Sequence, residues 1–161
     1  MAVRTVRTVR ITSGRQDPAT VERLLRSLPQ WFGIESAIES YVGDAATMPT
    51  YLAHADDAVG AVGVLLVSRH YPTAAEIHLM AVAPEYHRRG VGRAVLAAVE
   101  ADLAADGVRF LQVKTLGPSR PDADYDRTRA FYTAVGFTPL EELADLWPGN
   151  PCLIMVKSLP G

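Results

Sequence analysis

Three arginines and two glycines fall within Tyr86-His87-Arg88-Arg89-Gly90-Val91-Gly92-Arg93, and together they have the chemistry of an anion cradle. Guanidinium groups bring full charge and forked donors that match phosphate oxygens. Glycines at positions 90 and 92 remove the side chains that would hold a phosphate away from the backbone. If a helix begins here, its first N–H groups have no partner in a preceding turn and carry about half a positive charge. The stretch reads as a pyrophosphate site, against the plainer reading of a tight turn with solvated arginines. Upstream, Glu76, His78 and Met80 alternate onto one face of a strand, where either of the first two could take up a proton. The plainer reading there is a pair of exposed strand residues.

The elements around the cradle must be a strand before it and a helix after it. Glu76 to Ala83 alternates polar and apolar positions until Pro84 ends the ladder. From Val91 to Asp106 the pattern is helical, with Val91, Val95, Ala98, Val99 and Leu103 on one stripe and Gly107 as the stop. Two other phosphate motifs do not fit. A P-loop needs Gly-Lys-Ser/Thr, where Arg93-Ala94 stands, and a dinucleotide fingerprint needs a third glycine, where Val95 stands.

The stretch resembles instead the acetyl-CoA signature of the GNAT superfamily of N-acetyltransferases, a strand ending in V-x-P followed by Q/R-x-x-G-x-G/A and a helix. Val82-Ala83-Pro84 and Arg89-Gly90-Val91-Gly92 match, while His87 stands where the family prefers Gln or Arg. A second block, Tyr125 to Phe137, resembles the family's N-x-x-A-x-x-F/L-Y-x-x-x-G-F. Phe131, Tyr132, Gly136 and Phe137 match; Tyr125 and Thr128 replace the usual Asn and Ala. The resemblance implies an α/β, GNAT-like acyl-CoA N-acyltransferase fold, with a mixed, mostly antiparallel sheet of about seven strands flanked by helices. It also implies acetyl-CoA as co-substrate, held by Met80, Ala81, Val82, Arg88, Arg89, Gly90, Val91, Gly92 and Arg93.

By the same resemblance Tyr132 is the general acid, and a backbone N–H near Met80 is the oxyanion donor. A thiol titrates near ~8.5 and a phenol near ~10, so hydrogen bonding to the developing thiolate is the useful contribution of a tyrosine. An acceptor amine with a pKa of ~10.4 is neutral at pH 7 about once in 2,500, which makes Glu76 or His78, directly or through water, the candidate base. His54, His70 and His87 have no spacing that suggests a metal, and none is expected.

The rest of the chain is consistent with a single domain over residues 1–161. Apolar content of 48% and charged content of 21% are those of a globular protein. A net charge of −2 gives no support to nucleic-acid binding. The lone Cys152 excludes an internal disulfide. The N-terminal residues lack the apolar core of a secretory signal, and the apolar run from Ala58 to Val67 is too short to span a bilayer, so a cytoplasmic, membrane-free protein is expected.

A Val-Arg-Thr repeat over residues 3 to 11 suggests a first strand at Thr8 to Ile11, with Arg4, Arg7 and Arg10 on a solvated edge. Helices are expected from Asp17-Pro18 to Leu28 and over Glu35 to Asp44. A hairpin of Tyr51–Ala55 with Ala58–Ser68 follows, then strands at Phe110–Leu116, Thr138–Trp147 and Cys152–Leu159. Asp124 or Asp126 is the expected cap of the Tyr125–Phe137 helix. Trp31, Phe32 and Tyr41 fit the wall of an acceptor pocket or the core. Glu35, Glu39, Asp44, Asp56 and Asp57 would draw in a cationic small-molecule amine. The alternatives are a protein N-terminal or lysine acetyltransferase and a non-catalytic acyl-CoA-binding module; a homodimer is left open.

Overall fold

The computed structural model describes residues 8–161, so Arg4 and Arg7 lie outside it. Its strands are β1 (Val9–Ser13), β2 (Thr50–Ala55), β3 (Gly63–Tyr71), β4 (Ala74–Val82), β5 (Phe110–Leu116), β6 (Thr138–Trp147) and β7 (Asn150–Ser158). Its helices are α1 (Pro18–Arg26), α2 (Glu35–Asp44), α3 (Val91–Ala105) and α4 (Ala123–Ala134), with a 3-10 turn at Pro84–Tyr86. The seven strands run in the order β1-β2-β3-β4-β5-β7-β6. β4 and β5 pair in parallel, while β1/β2, β2/β3, β5/β7 and β6/β7 pair antiparallel. The expected mixed, mostly antiparallel sheet of seven strands is the one observed.

The contacts divide the chain into two compact units, one of residues up to Leu66 with Leu79–Val99, the other of Val67–His78 with Glu100–Gly161. In the first, Val21, Leu24 and Leu25 of α1 and Ile38 of α2 pack with Leu52, Val64, Leu66, Leu79 and Ala81. Burying side chains of this size contributes about 1.5–3 kcal/mol each before chain entropy is set against it. Alternate strand residues form a second cluster, in which Ala53, Ala55 and Val62 meet Val91 at the start of α3. Gly63 permits that approach: a Cβ there would lie 3.1 Å from Val91 Cγ1 and 3.3 Å from Ala53 Cβ.

The second unit is closed by a three-way latch. Lys157 Nζ donates to Glu100 Oε1 at 2.8 Å and to the Val135 carbonyl, at the end of α4, at 2.7 Å. The N–H of Phe137 returns to the Tyr132 carbonyl at 2.9 Å, and Gly136 takes φ +103°, as a helix C-terminal glycine does.

Several boundaries differ from the sequence reading by a few residues, and two of the differences have a visible cause. β3 begins at Gly63 rather than Ala58, because Gly60 turns left-handed (φ +78°) and Arg23 Nη2 donates to the Ala61 carbonyl at 2.8 Å. The cap of α4 is Asp122, whose carboxylate accepts from the N–H groups of Asp124 at 2.9 Å and Tyr125 at 3.1 Å. Asp124 and Asp126 instead sit in the first turn, where they favour the helix dipole and pair with Arg127 and Arg129.

Candidate active site

The cradle residues Met80–Val82 and Arg88–Arg93 all lie in the first unit. β4 ends at Val82, the chain makes the 3-10 turn, and two left-handed residues follow, Arg88 at φ +60° and Gly90 at φ +80°. Gly90 is free to adopt that angle, whereas Arg88 is an L-residue in a sparsely used region, a feature found at ligand-binding turns. The carbonyl of Gly90 accepts the first bond of α3, from Ala94 N–H at 3.0 Å. The N–H groups of Val91, Gly92 and Arg93 are therefore the helix's leading donors. Val91 is buried and pins this end of the helix, while Arg88, Arg89 and Arg93 are exposed.

Contacts that the sequence reading did not foresee brace the turn. His87 Nε2–H donates to the Val82 carbonyl at 2.7 Å, and its ring stands edge-on to Trp31 with centroids 5.7 Å apart. A departure from the family pattern therefore has a structural role, tying the turn back to the strand. Tyr86 Oη donates to Asp57 Oδ1 at 2.9 Å, and Arg89 lies 5.2 Å over the Tyr86 ring, a cation–π contact.

The residues of this turn are of the kind a pyrophosphate would need. A Cβ at Gly90 would meet no protein atom within 4 Å, so the space in front of this backbone is open. The leading N–H groups of the helix lie at that end, and exposed arginines occupy positions 88, 89 and 93 beside it.

Glu76, His78 and Tyr132 lie in the second unit. In β4, Ala75, Ile77, Leu79 and Ala81 are buried, and His78, Met80 and Val82 on the alternate face are partly exposed. Glu76 breaks the pattern, being buried at 6% exposure, so it is not the solvated strand residue of the plainer reading. Its Oε1 accepts from Gln112 Nε2 at 2.6 Å, contacts His70 Nε2 at 2.9 Å, and lies 3.1 Å from Lys114 Nζ. Burial pushes the carboxyl upward in pKa, but those three partners outweigh it and hold the group below its ordinary value. Burial also pushes the Cys152 thiol up.

These partners follow from the strand register. Gln112 and Lys114 are the polar alternates of β5, and the parallel register sets Glu76 opposite Gln112. Tyr132 is buried at 4% exposure, its ring edge-on to Phe131 and Phe137 at 5.3 and 5.4 Å.

The family description "Acetyltransferase (GNAT) domain" matches residues 48–139, more than half of the chain, and the chain belongs to that family of N-acetyltransferases, which use acetyl-CoA. The N-alpha-acetyltransferase RimI of Mycobacterium tuberculosis is 37% identical over 79 residues, covering 49% of this chain and 44% of that protein. A GNAT-family protein from Desulfovibrio desulfuricans superposes with a TM-score of 0.79 at 24% identity, over 95% of this chain and all of the other. A GNAT acetyltransferase from Elizabethkingia anophelis, solved with acetyl-CoA bound, gives 0.71 at 16% identity, over 94% of this chain and 98% of the other. The chain spans less than half the length of the curated relatives it matches. Among the described residues no helix is long and apolar enough to cross a membrane.

Proposed function

We propose that this chain transfers the acetyl group of acetyl-CoA to the primary amine of a small molecule in the cytoplasm. The observation that carries the reading is the left-handed Arg88–Gly90 turn, which opens onto the leading N–H groups of α3 between exposed arginines. Acetyl-CoA supplies an activated thioester. Arg88, Arg89 and Arg93 and the backbone of Gly90 to Arg93 bind its pyrophosphate, and the strand edge at Met80, Ala81 and Val82 aligns the pantetheine arm. A backbone N–H near Met80 steadies the oxyanion as the amine adds. Glu76 or His78 takes the proton from the incoming ammonium, and Tyr132 stabilises the departing thiolate by hydrogen bonding.

For the acceptor, Phe32 and Tyr41 stand edge-on at 6.0 Å beside Trp31, a half-buried aromatic group on the α1–α2 segment suited to an apolar wall. The acidic steering set is smaller than the sequence suggests. Arg26 engages Glu35 through both carboxylate oxygens, at 2.7 and 2.9 Å, and Tyr86 holds Asp57. Glu39 and Asp56 remain exposed, enough to attract a compact cation but too few to hold a long basic tail.

A second reading, acetylation of a protein N-terminal amine, draws support from the RimI relative. Steady-state rates for small amines and for short peptides, at ~0.01 M and ~0.15 M salt, separate the two. The small-amine reading expects higher kcat/KM for amines, with a further rise at low salt. Preference for peptides together with no salt effect on amines assigns the acceptor to proteins.

A further inference from the structure

The polar cluster at Glu76 has an asymmetry that bears on how a base there would work. Among the described residues, three close partners converge on one oxygen, Oε1: Gln112 at 2.6 Å, His70 at 2.9 Å and Lys114 at 3.1 Å. They come from two strands flanking β4, His70 from β3 and Gln112 and Lys114 from β5. The Glu76 side chain is only 8% exposed, against 29% for Lys114 and 46% for His70. A carboxylate buried purely for packing gains most by sharing its donors between both oxygens, because each unsatisfied buried lone pair costs free energy. Gathering them on one oxygen fixes the group's rotation and gives the other oxygen a separate role.

We propose that Gln112, His70 and Lys114 are positioning residues that clamp Oε1 of Glu76 and thereby present Oε2 to the acceptor amine. The inference rests on the reading of Glu76 as the base. Oε2 takes one proton from the substrate ammonium, directly or through a water. The freed lone pair forms the C–N bond as the C–S bond of the thioester breaks, the second nitrogen proton ends on the CoA sulfur, and Oε2 returns its proton to solvent. One proton is released for each acetyl group transferred.

The clamp also sets when the base is available. Glu76 works only when ionised, so kcat/KM rises with pH through its pKa. The groups facing it are His70 on β3, Lys114 and Gln112 on β5, Cys152 on β7 and, along its own strand, His78. Lys114 lowers the Glu76 pKa through both its hydrogen bond and its charge, so removing it must raise the carboxyl pKa and move the acid limb to higher pH.

The test is the pH profile of kcat/KM for Lys114→Met, Lys114→Arg, Gln112→Leu and Glu76→Gln. The clamp predicts an acid limb shifted upward by about one pH unit in Lys114→Met, a smaller upward shift in Gln112→Leu, and a limb restored in Lys114→Arg. Glu76→Gln should lose about 10²-fold or more at every pH. An unshifted limb in both Lys114→Met and Gln112→Leu, with Glu76→Gln still crippled, overturns the clamp and leaves the base in place. Full activity in Glu76→Gln overturns the base and the clamp together. Gln112→Leu keeps the test decisive if Lys114→Met does not fold.

Discussion

Tyr132→Phe will lower turnover by about 10²-fold while leaving affinity for acetyl-CoA nearly unchanged, the scale expected when a positioned acid is lost. The substitution is clean because it removes one oxygen and keeps the ring. The ring is what packs edge-on with Phe131 and Phe137, and the helix end behind it is held by the Phe137 N–H to Tyr132 carbonyl bond and by Lys157 on the Val135 carbonyl. Single-turnover kinetics under chemistry-limited conditions measure the loss. Undiminished turnover would reduce Tyr132 to a packing residue.

Gly90→Val will weaken acetyl-CoA binding by more than tenfold. The residue sits at φ +80°, where a β-branched side chain is strained by about 1–3 kcal/mol, and tenfold in affinity corresponds to about 1.4 kcal/mol. No protein atom lies within 4 Å of the position a Cβ would take, so the new side chain would occupy the space where the phosphates are proposed to lie. Gly149→Val is the control, since Gly149 has φ +72°, lies in the β6–β7 turn and also has open space in front of it. Calorimetric titration should show lost affinity in the first variant and parent affinity in the second, with stability lowered in both. Equal affinity in all three proteins would remove the phosphate role from the turn.

The sequence is most legible where local chemistry and tertiary structure agree. β5 spans Phe110–Leu116 and α2 spans Glu35–Asp44, as their patterns indicate, and Gly107 and Gly136 end their helices in left-handed geometry. The strand-turn-helix at Val82–Val91 was legible because a proline, two glycines and a helical stripe occur in fixed succession. The start of β3 was not, since an apolar run gives no sign of where the chain stops pairing, and Arg23 on a distant helix holds the break at Ala61. The cap of α4 was missed because three aspartates stand within five positions, and only backbone geometry selects Asp122.

Partnerships between distant residues were the least legible. Nothing local to Glu35 announces Arg26, and nothing local to Tyr86 announces Asp57. The burial of Glu76 follows from its place on a central strand, which the 2.0 periodicity of β4 alone does not reveal.

The proposed function couples bound acetyl-CoA to acyl transfer onto an amine. The most direct measurement is amine-dependent release of the CoA thiol, with the acetylated product identified by mass, across a panel of small primary amines and N-terminal peptides. The account predicts thiol and N-acetyl product in equal amounts with at least one acceptor, and loss of both in Tyr132→Phe. Tight acetyl-CoA binding with no amine-dependent thiol release from any acceptor would contradict it, and would make the chain an acyl-CoA-binding module instead.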